Sequence, residues 1–248
     1  MNFIKRLLLA TALVSAVLAQ APTSPLDDKR LTIHTLVRED IFAGFMNDDL
    51  ERLARGEKSA QALLEKRPEA KAPLLAWQAG ATLNRAVLAW ENKKTEEFQQ
   101  GYARAQDLFA QSKKANANDP GAAAVIGGSF VIFADRLPKA EQAAAWQQAY
   151  DAYQMLWKFQ GAGVENLPVH IRGELLGGLA VSAQRTGRKE EAMQYLDRML
   201  QVMADTPYGN AAKKWKENPK VAMSVSLTCL NCHESGRLAA RVASLKRN

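Results

Sequence analysis

Apolar residues in this chain recur at three- and four-residue steps, the spacing that places them on one face of a helix. Leu31, His34, Leu36, Val37, Ile41, Phe42, Phe45, Met46, Leu50 and Leu53 set one such face, which predicts a helix over 31–53 ended by Gly56. A short helix over 58–66 follows, stopped before Pro68. The same unit of helix, turn and helix recurs over 73–92 and 95–115, then over 121–134 and 138–159, then over 168–185 and 189–204. Pro138 suits the first turn of its helix, where a missing N–H costs nothing. The turn-forming runs Asn116 to Pro120, Gly161-Ala162-Gly163 and Thr206-Pro207-Tyr208-Gly209 close the pairs. A last helix is expected over 221–246. No stretch alternates with period two, so the predicted fold is all-α.

The pair over 168–204 carries the most specific repeat signal. Leu176, Leu179, Ala180 and Ala183, then Gly187 at the turn, then Ala192, Leu196, Met199 and Leu200 alternate large and small residues, which lets two antiparallel helices approach closely and stack on a neighbour. This pattern resembles a tetratricopeptide repeat, well over 172–207 and loosely over 31–209. Trp77, Gly80 and Ala81 have the right chemistry in a longer helix, whereas the unit from Gly56 to Pro68 is too short. The resemblance implies a curved α-solenoid of stacked antiparallel helix pairs, a shape such families use to hold partner proteins. A plain helical bundle obeys the same packing rules and is the alternative. The similar turns, recurring about every 45 residues, favour the repeat.

The N-terminus changes the setting. Lys5 and Arg6 precede an apolar run from Leu7 to Leu18, and Val17 and Ala19 are small residues ahead of Gln20. This order reads as a secretory signal peptide over 1–19, its apolar run being shorter than the roughly 20 residues a spanning helix needs. No cysteine follows the run, so no lipid anchor is expected there. The expected address is the periplasm or another exported compartment, with the chain soluble after cleavage. A repeat domain over 20–210 and a C-terminal segment over 211–248 complete the expected organisation.

Charge separates those two parts. The whole chain carries a formal charge of +7. Segment 211–248 holds eight basic residues against two acidic ones, a net +6. Such a segment is either a solvated tail or a docking surface for an acidic redox partner or anionic headgroups, where electrostatics chiefly raise encounter rates. Contact with a membrane surface fits this charge; integral insertion does not. Export and the absence of interleaved basic and aromatic residues exclude nucleic acid as the expected partner.

Within the basic segment lie the only two cysteines, in Cys229-Leu230-Asn231-Cys232-His233. On a helix, residues at i, i+3 and i+4 share one stripe. Two thiols and an imidazole so placed can fix a porphyrin by two thioether links and put a nitrogen under its iron, so the expected cofactor is one covalent haem c. Zinc would need two further ligands, and the only other histidines are His34 and His170. With both cysteines inside one motif, no structural disulfide elsewhere is available. With Thr228 just before it and Arg237 one turn after His233, the segment is similar to the haem segment of class II c-type cytochromes, the cytochrome c′ group, over about 20 residues. The likeness implies that Cys229 and Cys232 are the thioether sites and His233 the proximal ligand. That family is a compact four-helix bundle, and this chain is nearly twice as long. Class I cytochromes c, with an axial methionine far downstream, fit worse, because only 15 residues follow His233.

The sixth coordination position is expected from His34 first, set among Leu31, Ile33 and Val37, with His170 the weaker candidate. Methionines Met46, Met155, Met193, Met199, Met203 and Met223 are more ordinarily packing residues, and an open site is the other outcome. Two strong ligands favour outer-sphere electron transfer; an open site permits gas binding or peroxide chemistry. The expected function is therefore a single-haem electron carrier rather than an enzyme, exchanging electrons between proteins. The alternatives are a repeat scaffold whose motif is a redox dithiol or metal clip, and a gas-binding or peroxidase-like haem protein. No phosphate-cradling loop or nucleophile elbow is present, and the Asp48-Asp49, Asp135-Arg136 and Glu190-Glu191 groups read as solvated helix faces.

Overall fold

The computed structural model describes residues 24–218. Among these residues the fold is all-helical, with nine α-helices and no strand. The helices are α1 (Ile33–Asn47), α2 (Leu50–Lys66), α3 (Lys71–Glu91), α4 (Thr95–Ala115), α5 (Pro120–Phe133), α6 (Lys139–Gln160), α7 (Val169–Arg185), α8 (Lys189–Met203) and α9 (Pro207–Glu217). None of them is long and apolar enough to cross a membrane. Each odd-numbered helix from α1 to α7 packs along the even-numbered one after it, most extensively α3 on α4. The odd helices also meet one another, α1 with α3, α3 with α5 and α5 with α7, while α9 packs on α8.

The first pair departs from the expected boundaries. The helix expected over 31–53 ends at Asn47, where Asp48 takes a left-handed φ of 52° and its N–H bonds back to Ala43 and Gly44. Asp49 then caps α2, its carboxylate accepting from the Arg52 backbone N–H at 3.0 Å. Gly56 does not break the chain: it lies buried inside α2, where an added Cβ would sit 2.7 Å from Ile41 Cγ1. The glycine is needed for the close approach of α1 and α2, not for a turn. The Asp48-Asp49 pair, expected as a solvated face, is the hinge between them.

The Thr206-Pro207 step closes the last pair as expected, α8 ending at Met203, and also starts a further helix. Thr206 Oγ1 accepts from the Gly209 N–H at 3.2 Å and Pro207 takes the first helical turn of α9. Helix α9 thus runs across the boundary expected at residue 210, and Trp215, 1% exposed, anchors it in the core. At Pro138 the residue is the N-cap of α6 rather than its first helical position. The turn glycine read at Gly187 stands at φ 82°, joining α7 to α8.

Close approach between pairs rests on two more glycines. An added Cβ at Gly178 of α7 would lie 2.1 Å from Tyr153 Cζ of α6, and one at Gly127 of α5 2.9 Å from Tyr153 Cε2. The Tyr153 ring is thus clamped among three helices, and it is 4% exposed. Around it the core is continuous, with Trp77, Phe109, Phe130 and Phe133 among its largest fully buried side chains.

Asp135, expected on a solvated face, ties α6 to α7. Its carboxylate accepts from Trp146 Nε1 at 2.8 Å and from Arg185 Nη2 at 2.5 Å. Asp135→Ala leaves the buried indole N–H unsatisfied and Arg185 without this partner, so it is expected to cost about 1–2 kcal/mol of stability. Urea unfolding of the variant beside the parent chain measures that loss, and equal midpoints would contradict the assigned role.

Candidate functional site

Cys229, Cys232 and His233, with the helix expected over 221–246 and Met223, lie outside the described residues. So does the signal peptide expected over 1–19. Within the described residues, the two sixth-ligand candidates can be placed. His34 is the second residue of α1 and His170 the second residue of α7. Each is followed at i+4 by a charged residue, Arg38 and Glu174 respectively, so each helix turns one imidazole and one charge to a common side.

His34 is not buried in an apolar face as its neighbours implied. Ile33, Leu36 and Val37 are buried, while the imidazole is exposed, its ring 5.3 Å from that of Trp77 and tilted by 42°. Arg38 Nη1 stands 3.0 Å from His34 Nε2. A guanidinium has no acceptor, so Nε2 accepts this bond and the proton of the neutral ring resides on Nδ1. To bind iron through Nε2, His34 would first have to surrender that bond.

His170 is half-buried, with Nδ1 3.4 Å from Tyr208 Oη and Nε2 3.5 Å from Glu174 Oε2. Both distances are long for hydrogen bonds, so the ring is less firmly engaged by them than His34 is by Arg38. Tyr208 reaches His170 because Gly173, one turn on, leaves space: a Cβ there would lie 2.6 Å from the Tyr208 ring.

Burial pushes the Glu174 carboxyl up to about 7, against the opposing pull of Arg38. Arg38 sits on α1 and Glu174 on α7, so the two helices share one electrostatic environment across 136 positions of sequence. The side chain retains 33% exposure, and the penalty falls on the carboxyl rather than on the whole residue. A raised carboxylate pKa means that the folded state loses stability as pH rises from about 4.5, the ordinary value, through about 7. Glu174→Gln is therefore expected to stabilise the protein by roughly 1–2 kcal/mol at pH 8, after allowance for solvent screening, and by close to nothing below pH ~4.5. Thermal midpoints at both pH values check this; a difference of equal size at both would contradict it.

The methionines divide by place. Met199 and Met203 are buried in α8, and Met193 packs partly buried against the core. Met155 lines a crevice among α4, α5 and α6 with Ile126 and Asp151, while Met46 is exposed at the end of α1. Among the described residues, no group of three or more histidine, cysteine, aspartate or glutamate side chains is placed to hold a metal ion.

The pairing that sequence reasoning missed is the one across helices. His34 with Arg38 and His170 with Glu174 each carry an i, i+4 signal, but nothing local joins the first pair to the second. Comparison with protein-family models, with curated proteins and with solved structures returned no match for this chain.

Proposed function

We propose that this protein is an exported c-type cytochrome with one covalent haem, moving single electrons between proteins, its helix pairs forming a TPR-like stack that holds a partner. The observation that carries the reading is Cys229-x-x-Cys232-His233, which uses both cysteines of the chain and supplies the complete donor set for thioether attachment and proximal ligation. The N-terminal pattern of Lys5, Arg6 and the apolar run to Leu18 supplies the compartment in which that attachment is made.

The donor set fits the group: two thiols three residues apart and an imidazole next to the second. Haem, when bound, supplies a one-electron redox centre whose potential is tuned by its axial ligands. The protein's own part is to hold that centre at its basic C-terminal segment, net +6, where an acidic partner surface would be steered toward it. His34, the first candidate for the sixth position, and His170, the weaker one, would each exchange a present contact for iron, His34 its bond from Arg38 and His170 its contact with Tyr208. The stacking of α1, α3, α5 and α7 on one another supports the repeat form of the scaffold.

The test is the visible spectrum of the mature protein, made in a host that attaches haem c, in both redox states. A haem c spectrum whose colour survives acid-acetone extraction is expected. A colourless protein would overturn the proposal. Carbon monoxide added to the ferrous form reads the sixth position: slow or absent binding is expected with His34 or His170 ligated, and rapid binding would point to an open site.

A further inference from the structure

From the layout of α1, α5 and α7 we infer that the face carrying His34, Gly128 and His170 is the seat of this chain's own segment 219–248. The occupant follows from where the described chain ends. Helix α9 begins beside α7, with the Tyr208 ring against Gly173 and its hydroxyl near His170, and it ends at Glu217. At about 1.5 Å per residue, its 11 residues carry the chain only ~16 Å from that starting point. Thirty residues follow Asn218, and ten of them in extended form span about 33 Å, ample to return over α7.

The sequence of the segment also spaces apolar residues as one face of a helix would. Leu238, Val242 and Leu245 recur at steps of four and three, with Leu227 and Leu230 ahead of them at a step of three. A short helix with such a stripe is stable only when the stripe is buried against something. On the body, α5 is buried wherever it meets α3, α6 and α7, and its remaining stripe is Ala124, Gly128 and Val131, apolar throughout. Among the described residues, none would lie within 4 Å of a Cβ added at Gly128, so no described helix covers the stripe there. Val169, 45% exposed, extends the apolar surface beside His170. The Phe45 and Phe133 rings, 4.9 Å apart, bring α1 against α5, and the Tyr153 ring held between Gly127 and Gly178 brings α7 to its other side.

Segment 219–248 contains Cys229, Cys232 and His233, so seating it here would bring the motif to the two histidines. That consequence rests on the haem proposal; the seating itself does not. A benzophenone side chain installed in the full-length chain at position 128, and separately at position 169, should on illumination cross-link within one molecule to peptides from 219–248. The same probe at position 104, exposed on α4, should not. Cross-links to a second copy, cross-links confined to other parts of the chain, or equal capture from position 104 would each overturn the inference. Run on coloured and colourless preparations alike, the experiment separates the two claims: capture in a colourless chain would uphold the seating while the haem reading failed.

Discussion

The double replacement Cys229→Ala with Cys232→Ala should remove all covalently held haem, the largest change any substitution here is expected to make. Thioether attachment requires a sulfur at each position, and the chain holds no third cysteine to substitute. His233 alone, competing with water for a dissociable porphyrin, would leave at most a fraction that acid-acetone strips away. The helical body should survive, because α1 to α9 are built from buried apolar side chains in residues 24–218 and owe nothing to those thiols. Far-ultraviolet circular dichroism should therefore match the parent while the haem band is lost. Colour that persists through extraction in the double variant would show that another group holds the cofactor.

Gly178→Ala is expected to be the most damaging single change in the body. Its Cβ would fall 2.1 Å from Tyr153 Cζ and 2.3 Å from Cε1, well inside contact distance for carbon. The ring cannot swing aside, since Gly127 of α5 approaches it from another side. Helices α6 and α7 must therefore separate, which forfeits packing along the interface. Overpacking of this kind costs about 3 kcal/mol, or roughly 6–12 °C in the midpoint for a chain of this size. In a Tyr153→Ala background the same Gly178→Ala change should cost much less than in the parent, a coupling that a change of helix propensity would not show. Alanine is the better helix former, so propensity alone would raise the midpoint. An unchanged or raised midpoint for Gly178→Ala would contradict the clamp.

Where the sequence could be read and where it could not follows from the range of the signal. Helix α4 was expected over 95–115 and is found as Thr95–Ala115, because the acidic first turn, the lysine-rich last turn and the Asn-rich stop are all local. Gly187 was read as a turn and stands at positive φ for the same reason. Gly56 differs from its expected role because a glycine that breaks a helix and one that admits a neighbouring helix look alike without the neighbour, here Ile41. Thr206-Pro207 does close the pair, α8 ending at Met203, but the same Thr N-cap and Pro also open α9, which the spacing alone does not reveal; the buried Trp215 that holds α9 is a tertiary fact. The α1 to α7 relation is the least local of all. That Arg38 and Glu174 influence each other depends on the cumulative placement of five intervening helices.

The chemistry shows the opposite balance. Cys229, Cys232 and His233 are informative as sequence because covalent attachment demands residue types at fixed short spacing. The iron's other side demands only that some donor arrive from anywhere in the fold. His34 illustrates the difference: its apolar neighbours suggested a buried imidazole, yet the ring lies exposed over Trp77 because the helix turns Ile33, Leu36 and Val37 inward and leaves position 34 between them and solvent.

The central claim is a covalent haem at Cys229 and Cys232, and the intact mass of the denatured protein tests it most directly. Produced in a host that matures c-type cytochromes, the chain should keep the mass of one haem through denaturation and lose that increment in the Cys229→Ala, Cys232→Ala variant. A parent chain at the mass of the bare polypeptide, or two hydrogens below it from a Cys229–Cys232 disulfide, would contradict the account.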